Sequence, residues 1–137
     1  HTPALLPSDY CSDVQERLAL YKRLANCEAE DDIRDLQEEL IDRFGELPPQ
    51  TQALLETHRL RLFVQPFDVQ KLDASEARIH VQFGPQPPID PVKVIQLIQK
   101  DRNTSMAGPD KLTRKVEARE LKQRVVEVRR LLEAVRG

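Results

Sequence analysis

The sequence predicts an α+β fold with a helical N-terminal half, a small antiparallel β-sheet built from hairpins, and a long C-terminal helix. Three observations predict it. Apolar residues recur at spacings of three and four over most of residues 12–65, which is the period of an amphipathic helix. Around residue 80 this period changes to strict alternation, which is typical of a half-buried strand. The helical spacing then returns between about residues 116 and 136.

The first helix is predicted to begin at a capping box, Ser12-Asp13-Val14-Gln15, and to end near Cys27. Residues 1–11 contain two prolines and are interpreted as a linker, or a remnant of expression, that leads into the domain. Residues 12–137 are predicted to form a single α+β domain. The apolar repeat of the first helix is Val14, Leu18, Tyr21 and Ala25, with Leu20 and Leu24 nearby.

A second helix is predicted to begin at Glu30-Asp31-Asp32, because acidic side chains favour the positive end of a helix. Gly45 would end it, since glycine readily adopts a positive φ. Pro49 suits the first position of a third helix, which must end near Pro66.

Two hairpins and a short fourth helix are predicted next. Residues 69–73 and 79–83 form the first hairpin, since Ile79, Val81 and Phe83 alternate with polar residues. Asp90-Pro91 is an N-cap followed by an N1 proline. Residues 103–107 and 111–114 form the second hairpin. The last helix, about 116–136, has an apolar 3-4 repeat; because it covers few heptads, packing on the domain's own sheet is favoured over a coiled coil.

Charge and composition exclude several classes of protein. The net charge of −2 argues against a dedicated nucleic-acid binder, which is usually basic. No apolar run reaches the roughly 20 residues of a membrane span, and the first residues do not read as a secretory signal, so a cytoplasmic protein with reduced thiols is expected. The total hides a gradient: residues 1–50 hold 5 Lys and Arg against 12 Asp and Glu, a net −7, whereas residues 101–137 carry +4.

No motif indicates catalysis. The four glycines form no phosphate-binding loop, and no serine lies in a nucleophile elbow. The three histidines and two cysteines have no metal-ligand spacing. We therefore expect that this chain is not an enzyme by itself and that it holds no cofactor or metal.

An acidic stripe on the second helix is the strongest candidate for a functional surface. At 100° per residue, its apolar residues (Ile33, Leu36, Leu40, Ile41 and Phe44) fall on one side, and an acidic set lies opposite. One interpretation is a solvated face with internal pairs such as Glu39 with Arg43 and Arg34 with Glu38. The other is a docking surface for an arginine-rich partner. The acidic set is Asp31, Asp35, Glu38, Glu39 and Asp42.

Several strings of residues carry a family resemblance: Leu5-Leu6-Pro7-Ser8-Asp9-Tyr10, Tyr21-Lys22-Arg23-Leu24-Ala25 and the segment from Glu39 to Pro48, which reads E-L-I-D-R-F-G-E-L-P. In these strings, and over nearly its whole length, the chain resembles the C-terminal domain of the bacterial transcription-repair coupling factor (Mfd). One departure is Asp68-Val69, where the family more often has Gly-Ile.

The resemblance implies a regulatory domain of a larger protein. The parent would be an ATP-dependent translocase on double-stranded DNA that binds RNA polymerase and UvrA, with ATP and Mg²⁺ bound outside this domain. The domain would be autoinhibitory: it would dock on the N-terminal UvrB-like module and mask its UvrA-binding surface until RNA polymerase is engaged. Carried over by motif, Glu39 and Asp42 are the interface residues, with Asp35 and Glu38 as weaker neighbours.

Two other functions stay open. The chain could be a nucleic-acid-binding accessory module that uses its basic C-terminal segment, although acids are interspersed there and aromatic residues for stacking are absent. It could also dimerise through the last helix, although we expect a monomer. The basic residues are Lys111, Arg114, Lys115, Arg119, Lys122, Arg124, Arg129 and Arg130.

Overall fold

A computed structural model describes residues 3–137, which divide into two compact units with the boundary between Phe63 and Val64. The first unit is helical, and the second holds a four-stranded antiparallel sheet with two helices. The predicted α+β class is therefore confirmed. That residues 12–137 act as one domain stays a prediction.

Three helices build the first unit: α1 (Val14–Ala25), α2 (Glu30–Phe44) and α3 (Pro49–Val64). The N-cap of α1 is Asp13, not Ser12 as predicted, because the carboxylate of Asp13 accepts the backbone N–H of Gln15 at 2.9 Å. The helix also ends two residues earlier than expected. α2 ends at Gly45, whose φ of 92° is a backbone conformation that favours glycine.

The segment before α1 belongs to the fold. Leu6 and Cys11 are buried in the core of the first unit, and the backbone N–H of Leu6 donates to the hydroxyl of Tyr21 at 2.8 Å. The predicted linker is therefore wrong from about Leu5 onward, because its apolar residues pack against the helices. His1 and Thr2, interpreted as a possible remnant of expression, lie outside the described residues.

One predicted apolar stripe does not face the core, and a second faces it except for one residue. On α1, Val14 and Leu18 are 56% and 57% exposed, and the buried side carries Leu20 and Leu24 instead. Apolar residues cover more than half of this short helix, so periodicity alone could not select the buried side. On α2, Ile41 is exposed although the helical projection placed it at the edge of the apolar set.

The sheet of the second unit has the order β1-β2-β4-β3, formed by β1 (Val69–Ala74), β2 (Arg78–Phe83), β3 (Thr104–Gly108) and β4 (Lys111–Lys115). Both predicted hairpins are present, and they join because β2 pairs with β4. Between them lies α4 (Pro91–Lys100), capped by Asp90 as predicted.

The entrance to β1 explains the departure from the family pattern. Asp68 has a φ of 53°, in the left-handed region that glycine favours and that aspartate tolerates. Its side chain fills the space beside Gly84, where a Cβ would lie 2.3 Å from an Asp68 carboxylate oxygen. A side chain at position 84 would therefore force the carboxylate of Asp68 to move.

The last helix, α5 (Leu121–Val135), begins five residues later than predicted. Val116 and Ala118 donate backbone hydrogen bonds to Ala77 and Glu76, which extends the pairing of β4 past its end. The apolar residues of α5 are buried as expected, and α5 contacts α4 within the unit. The buried residues are Val125, Val128, Leu131, Leu132 and Val135.

Candidate docking surface

The exposed face of α2 carries three carboxylates that hold no partner. Asp35, Glu38 and Asp42 project opposite the buried side of the helix, and within residues 3–137 none of them forms a hydrogen bond or an ion pair. Arg34, which was expected to pair with Glu38, instead lies 3.4 Å from Asp31. Three of the four predicted interface residues are therefore available to an external partner.

Glu39, the fourth predicted interface residue, is already engaged inside the first unit. Arg23 at the end of α1 binds its carboxylate with both guanidinium nitrogens, Nη1 to Oε2 at 2.6 Å and Nη2 to Oε1 at 3.1 Å. Arg43 adds a contact to Oε2 at 3.3 Å, and it also pairs with Glu16 of α1. Glu39 thus belongs to a four-residue network that joins α1 to α2, with two positive and two negative charges.

The acidic face of α2 is formed by Asp35, Glu38, Glu39 and Asp42. The network compensates the negative charge of Glu39, whereas the other three carboxylates have no such partner. The hydrogen bond from Arg23 lowers the pKa of Glu39, and the same hydrogen bond raises the pKa of Arg23. Both side chains are nevertheless partly solvated, with 36% of Glu39 and 50% of Arg23 exposed. In water, such a pair contributes only about 0–1 kcal/mol.

The free carboxylates are placed unfavourably for helix stability. Glu38 and Asp42 are like charges at i, i+4, which destabilises a helix by a few tenths of a kcal/mol. Asp42 also lies in the last turn, where the helix dipole favours cations. The only basic residue of that turn, Arg43, is engaged with Glu39 and Glu16. Folding alone does not account for this arrangement.

The first unit holds α2 firmly beneath this face. The hydroxyl of Tyr10 donates to the carbonyl of Gly45 at 2.9 Å and lies 3.2 Å from that of Leu40. The ring of Tyr10 lies 5.5 Å from that of Phe44. Arg59 of α3 contacts Gln37 on the flank of α2. The C-terminal half of α2 is therefore fixed by contacts from both ends of the unit's sequence.

Sequence reasoning missed Arg23 as a partner of Glu39, because the two residues are sixteen positions apart and lie on different helices. One signal was present: Arg23 belongs to the Tyr21–Ala25 string that carries the family resemblance. The predicted pair of Glu39 with Arg43 is confirmed.

The basic C-terminal segment has many internal partners. Arg114 binds Asp101 at 2.9 Å and also contacts Glu127, so that β4 is linked to the end of α4 and to α5. Arg130 lies 3.7 Å from Glu127, and Arg124 donates to backbone carbonyls. Three of the basic side chains of this segment are thus engaged within the second unit.

The described residues offer little else for chemistry. Between residues 3 and 137, no group of three metal-ligating side chains could hold an ion. Cys11 is buried, and burial raises the pKa of the Cys27 thiol, which makes it less reactive at neutral pH. The helices between residues 3 and 137 are too short or too polar to span a lipid bilayer.

Comparison with known proteins identifies the family. The sequence profile of the TRCF domain matches residues 1–94. The chain belongs to the TRCF domain family. It is 46% identical over 99 residues, 72% of its length, to the transcription-repair-coupling factor of Haemophilus influenzae, and 35% identical over 131 residues, 95% of its length, to that of Escherichia coli. The predicted family resemblance is confirmed.

A solved structure extends the match to the whole fold. The crystal structure of the C-terminal domain of a transcription-repair coupling factor superposes with a TM-score of 0.81 at 24% identity, covering 98% of this chain and 87% of that one. The TRCF domain described here spans only 9% and 11% of the length of the two sequence relatives. It therefore corresponds to a small part of a coupling factor.

Proposed function

We propose that this TRCF domain is a non-catalytic, autoinhibitory domain of a transcription-repair coupling factor. It docks through the acidic face of α2 on the N-terminal UvrB-like module of the parent protein and masks the UvrA-binding surface there. Engagement of RNA polymerase releases it. The observation that carries the proposal is the row of three exposed carboxylates without partners, Asp35, Glu38 and Asp42, beside Glu39.

The chemistry of this face suits a reversible contact. Exposed carboxylates on a rigid helix accept charge-assisted hydrogen bonds from arginine side chains, which match carboxylate geometry. Individual pairs of this kind are weak in water, but tethering in one chain raises their effective concentration. A coupling of about 1–3 kcal/mol, five- to 150-fold in affinity, is enough to mask or expose a binding site.

The other activities belong to the parent protein. We propose that ATP and Mg²⁺ serve a DNA-translocating motor outside this chain, that the domain itself holds neither, and that it acts in the cytoplasm as a monomer. The alternative of a nucleic-acid-binding module is weaker, because Arg114, Arg124 and Arg130 are engaged inside the second unit. Binding of the domain to duplex DNA that weakens steeply with salt would favour it.

The test uses the full-length factor with Glu38→Gln and Asp42→Asn. These substitutions keep the side-chain shapes and remove a like-charge pair, so the helix is expected to become slightly more stable. If the face docks, the variant opens and binds UvrA at least about five-fold more tightly. Because the substitutions are expected to stabilise α2, unfolding of this helix would not explain a gain in UvrA affinity.

A matched control removes two charges elsewhere. The control substitutions are Asp73→Asn and Glu76→Gln. Asp73 lies in β1 and Glu76 in the turn that follows it, and both are exposed on the β1–β2 hairpin of the second unit. This control is expected to bind UvrA as the unmodified factor does. Equal UvrA affinity for the docking-face variant, the control and the unmodified factor would refute the proposal.

A further inference from the structure

The carboxylate of Glu39 is occupied by an arginine before any partner arrives. Arg23 takes one hydrogen bond to each oxygen, in the parallel two-point geometry that an arginine of a partner would also use. Arg43 takes a further position on Oε2. A second two-point contact from outside therefore needs the edge of the carboxylate that Arg23 covers.

The contact between Arg23 and Glu39 is exchangeable. The two side chains are half and about one third exposed, so water and a competing guanidinium can reach them. A surface ion pair of this kind contributes less than about 1 kcal/mol, so thermal motion breaks it readily. An arginine from a tethered partner can displace Arg23 at little cost.

The other ion pairs of the network remain when Arg23 leaves. Arg43 keeps Glu16 as a partner on α1, so the departure of Arg23 does not strand a positive charge between the helices. Arg23 itself lies in the last turn of α1, three residues before the C-cap Asn26. The negative end of the helix dipole there favours a cation, which gives the released guanidinium an alternative position.

We propose that Arg23 is an internal competitor at the docking surface: it holds Glu39 in the undocked domain and is displaced by an arginine of the partner module. The proposal rests on the docking role described above and adds its regulation. Asp42 and Glu38, which need no exchange, make the first contact. Glu39 is gained only at the cost of its internal partner, which weakens the closed state and makes it easier to release.

Opposite effects distinguish this role from a structural one. In the full-length factor, Arg23→Gln is expected to free Glu39, strengthen docking and lower the apparent affinity for UvrA by about two- to five-fold, the value of one exposed ion pair. If Arg23 only braces α1 against α2, its loss would loosen the face and raise the affinity for UvrA. That result would overturn the proposal.

The matched control is Lys22→Gln. Lys22 is the neighbour of Arg23, is exposed, and forms no ion pair within the described residues 3–137. Lys22→Gln removes one positive charge from α1, as Arg23→Gln does, so it reports the general electrostatic effect of a more acidic domain. An equal decrease in UvrA affinity for both variants would show that Arg23 acts through net charge alone and would overturn the proposal.

A double-mutant cycle locates the competition at Glu39. Arg23→Gln is expected to have no further effect in a Glu39→Gln background, because nothing remains to be competed for. An undiminished effect there would place the action of Arg23 elsewhere. Failure of the docking role itself would be recognised separately, since Glu38→Gln with Asp42→Asn would then leave UvrA affinity unchanged.

Discussion

Leu40 and Ile41 are adjacent residues of α2 that differ sharply in burial. Substituting each in turn tests which side of the helix faces the core. Leu40 is 2% exposed within the core of the first unit, whereas Ile41 is 43% exposed. Substitution by alanine removes three carbon atoms from each side chain. For Leu40 the lost burial is about 2.4 kcal/mol at about 0.8 kcal/mol per methylene, and a residual cavity brings the expected cost to about 3 kcal/mol.

Ile41→Ala serves as the matched control and is expected to cost about 1 kcal/mol or less. About half of the side chain already contacts water, no closed cavity forms, and alanine is a better helix former than isoleucine. Urea unfolding followed by tyrosine fluorescence measures both variants. The two tyrosines, Tyr10 and Tyr21, lie in the first unit, so the signal reports the free energy of unfolding of that unit.

Equal destabilisation by Leu40→Ala and Ile41→Ala would contradict the orientation of α2 in which Leu40 is buried and Ile41 is exposed. It would mean that the helix is rotated toward the orientation expected from sequence, with Ile41 in the core. The acidic face would then rotate with it, and the partners of Glu39 would change.

Two further predictions concern titratable groups. Burial, together with the nearby charge of Arg61, lowers the pKa of His58. At pH values just below the ordinary histidine pKa of about 6.5, the unfolded chain therefore binds more protons than the folded one, and the free energy of unfolding should rise with pH in that range. His58→Gln should make the urea midpoint of unfolding less dependent on pH there. Arg114→Gln leaves the carboxylates of Asp101 and Glu127, each about four-fifths buried, without the guanidinium that they share, and should lower the free energy of unfolding by about 1–3 kcal/mol, as measured by circular dichroism. Hydrogen bonds from the backbone of Asn103 and from Arg114 lower the pKa of Asp101, so this loss should shrink as the pH falls below about 4 and Asp101 becomes protonated. A loss that does not change with pH would contradict this prediction.

Local sequence signals predicted the elements whose stabilising contacts are themselves local. The alternation of Ile79, Val81 and Phe83 identified β2, and all three are buried. Asp90 and Gly45 act at the ends of single helices, where a capping side chain or a positive φ is decided within a few residues. These features follow from hydrogen bonding and backbone geometry over one turn.

The errors occurred where distant residues decide the outcome. The start of α5 was missed because the backbone of Val116 and Ala118 pairs with residues about forty positions earlier, although their side chains fit a helical repeat. The second partner of Glu39 was missed because Arg23 lies on another helix. Helical periodicity placed the acidic face correctly, but it could not show which carboxylates are already paired.

The proposed docking role requires that the acidic face of α2 lies against the N-terminal module when the coupling factor is at rest. A photo-reactive amino acid in place of Ile41 in the full-length factor provides the test, because Ile41 is exposed beside Asp42 at the edge of that face and is not one of its carboxylates. A second probe at the exposed position Arg61 on α3 is the control. We expect the probe at position 41 to crosslink to the N-terminal module at rest and to lose this crosslink when a stalled RNA polymerase is added. A resting crosslink to another part of the factor, or one that persists with polymerase bound, would contradict it.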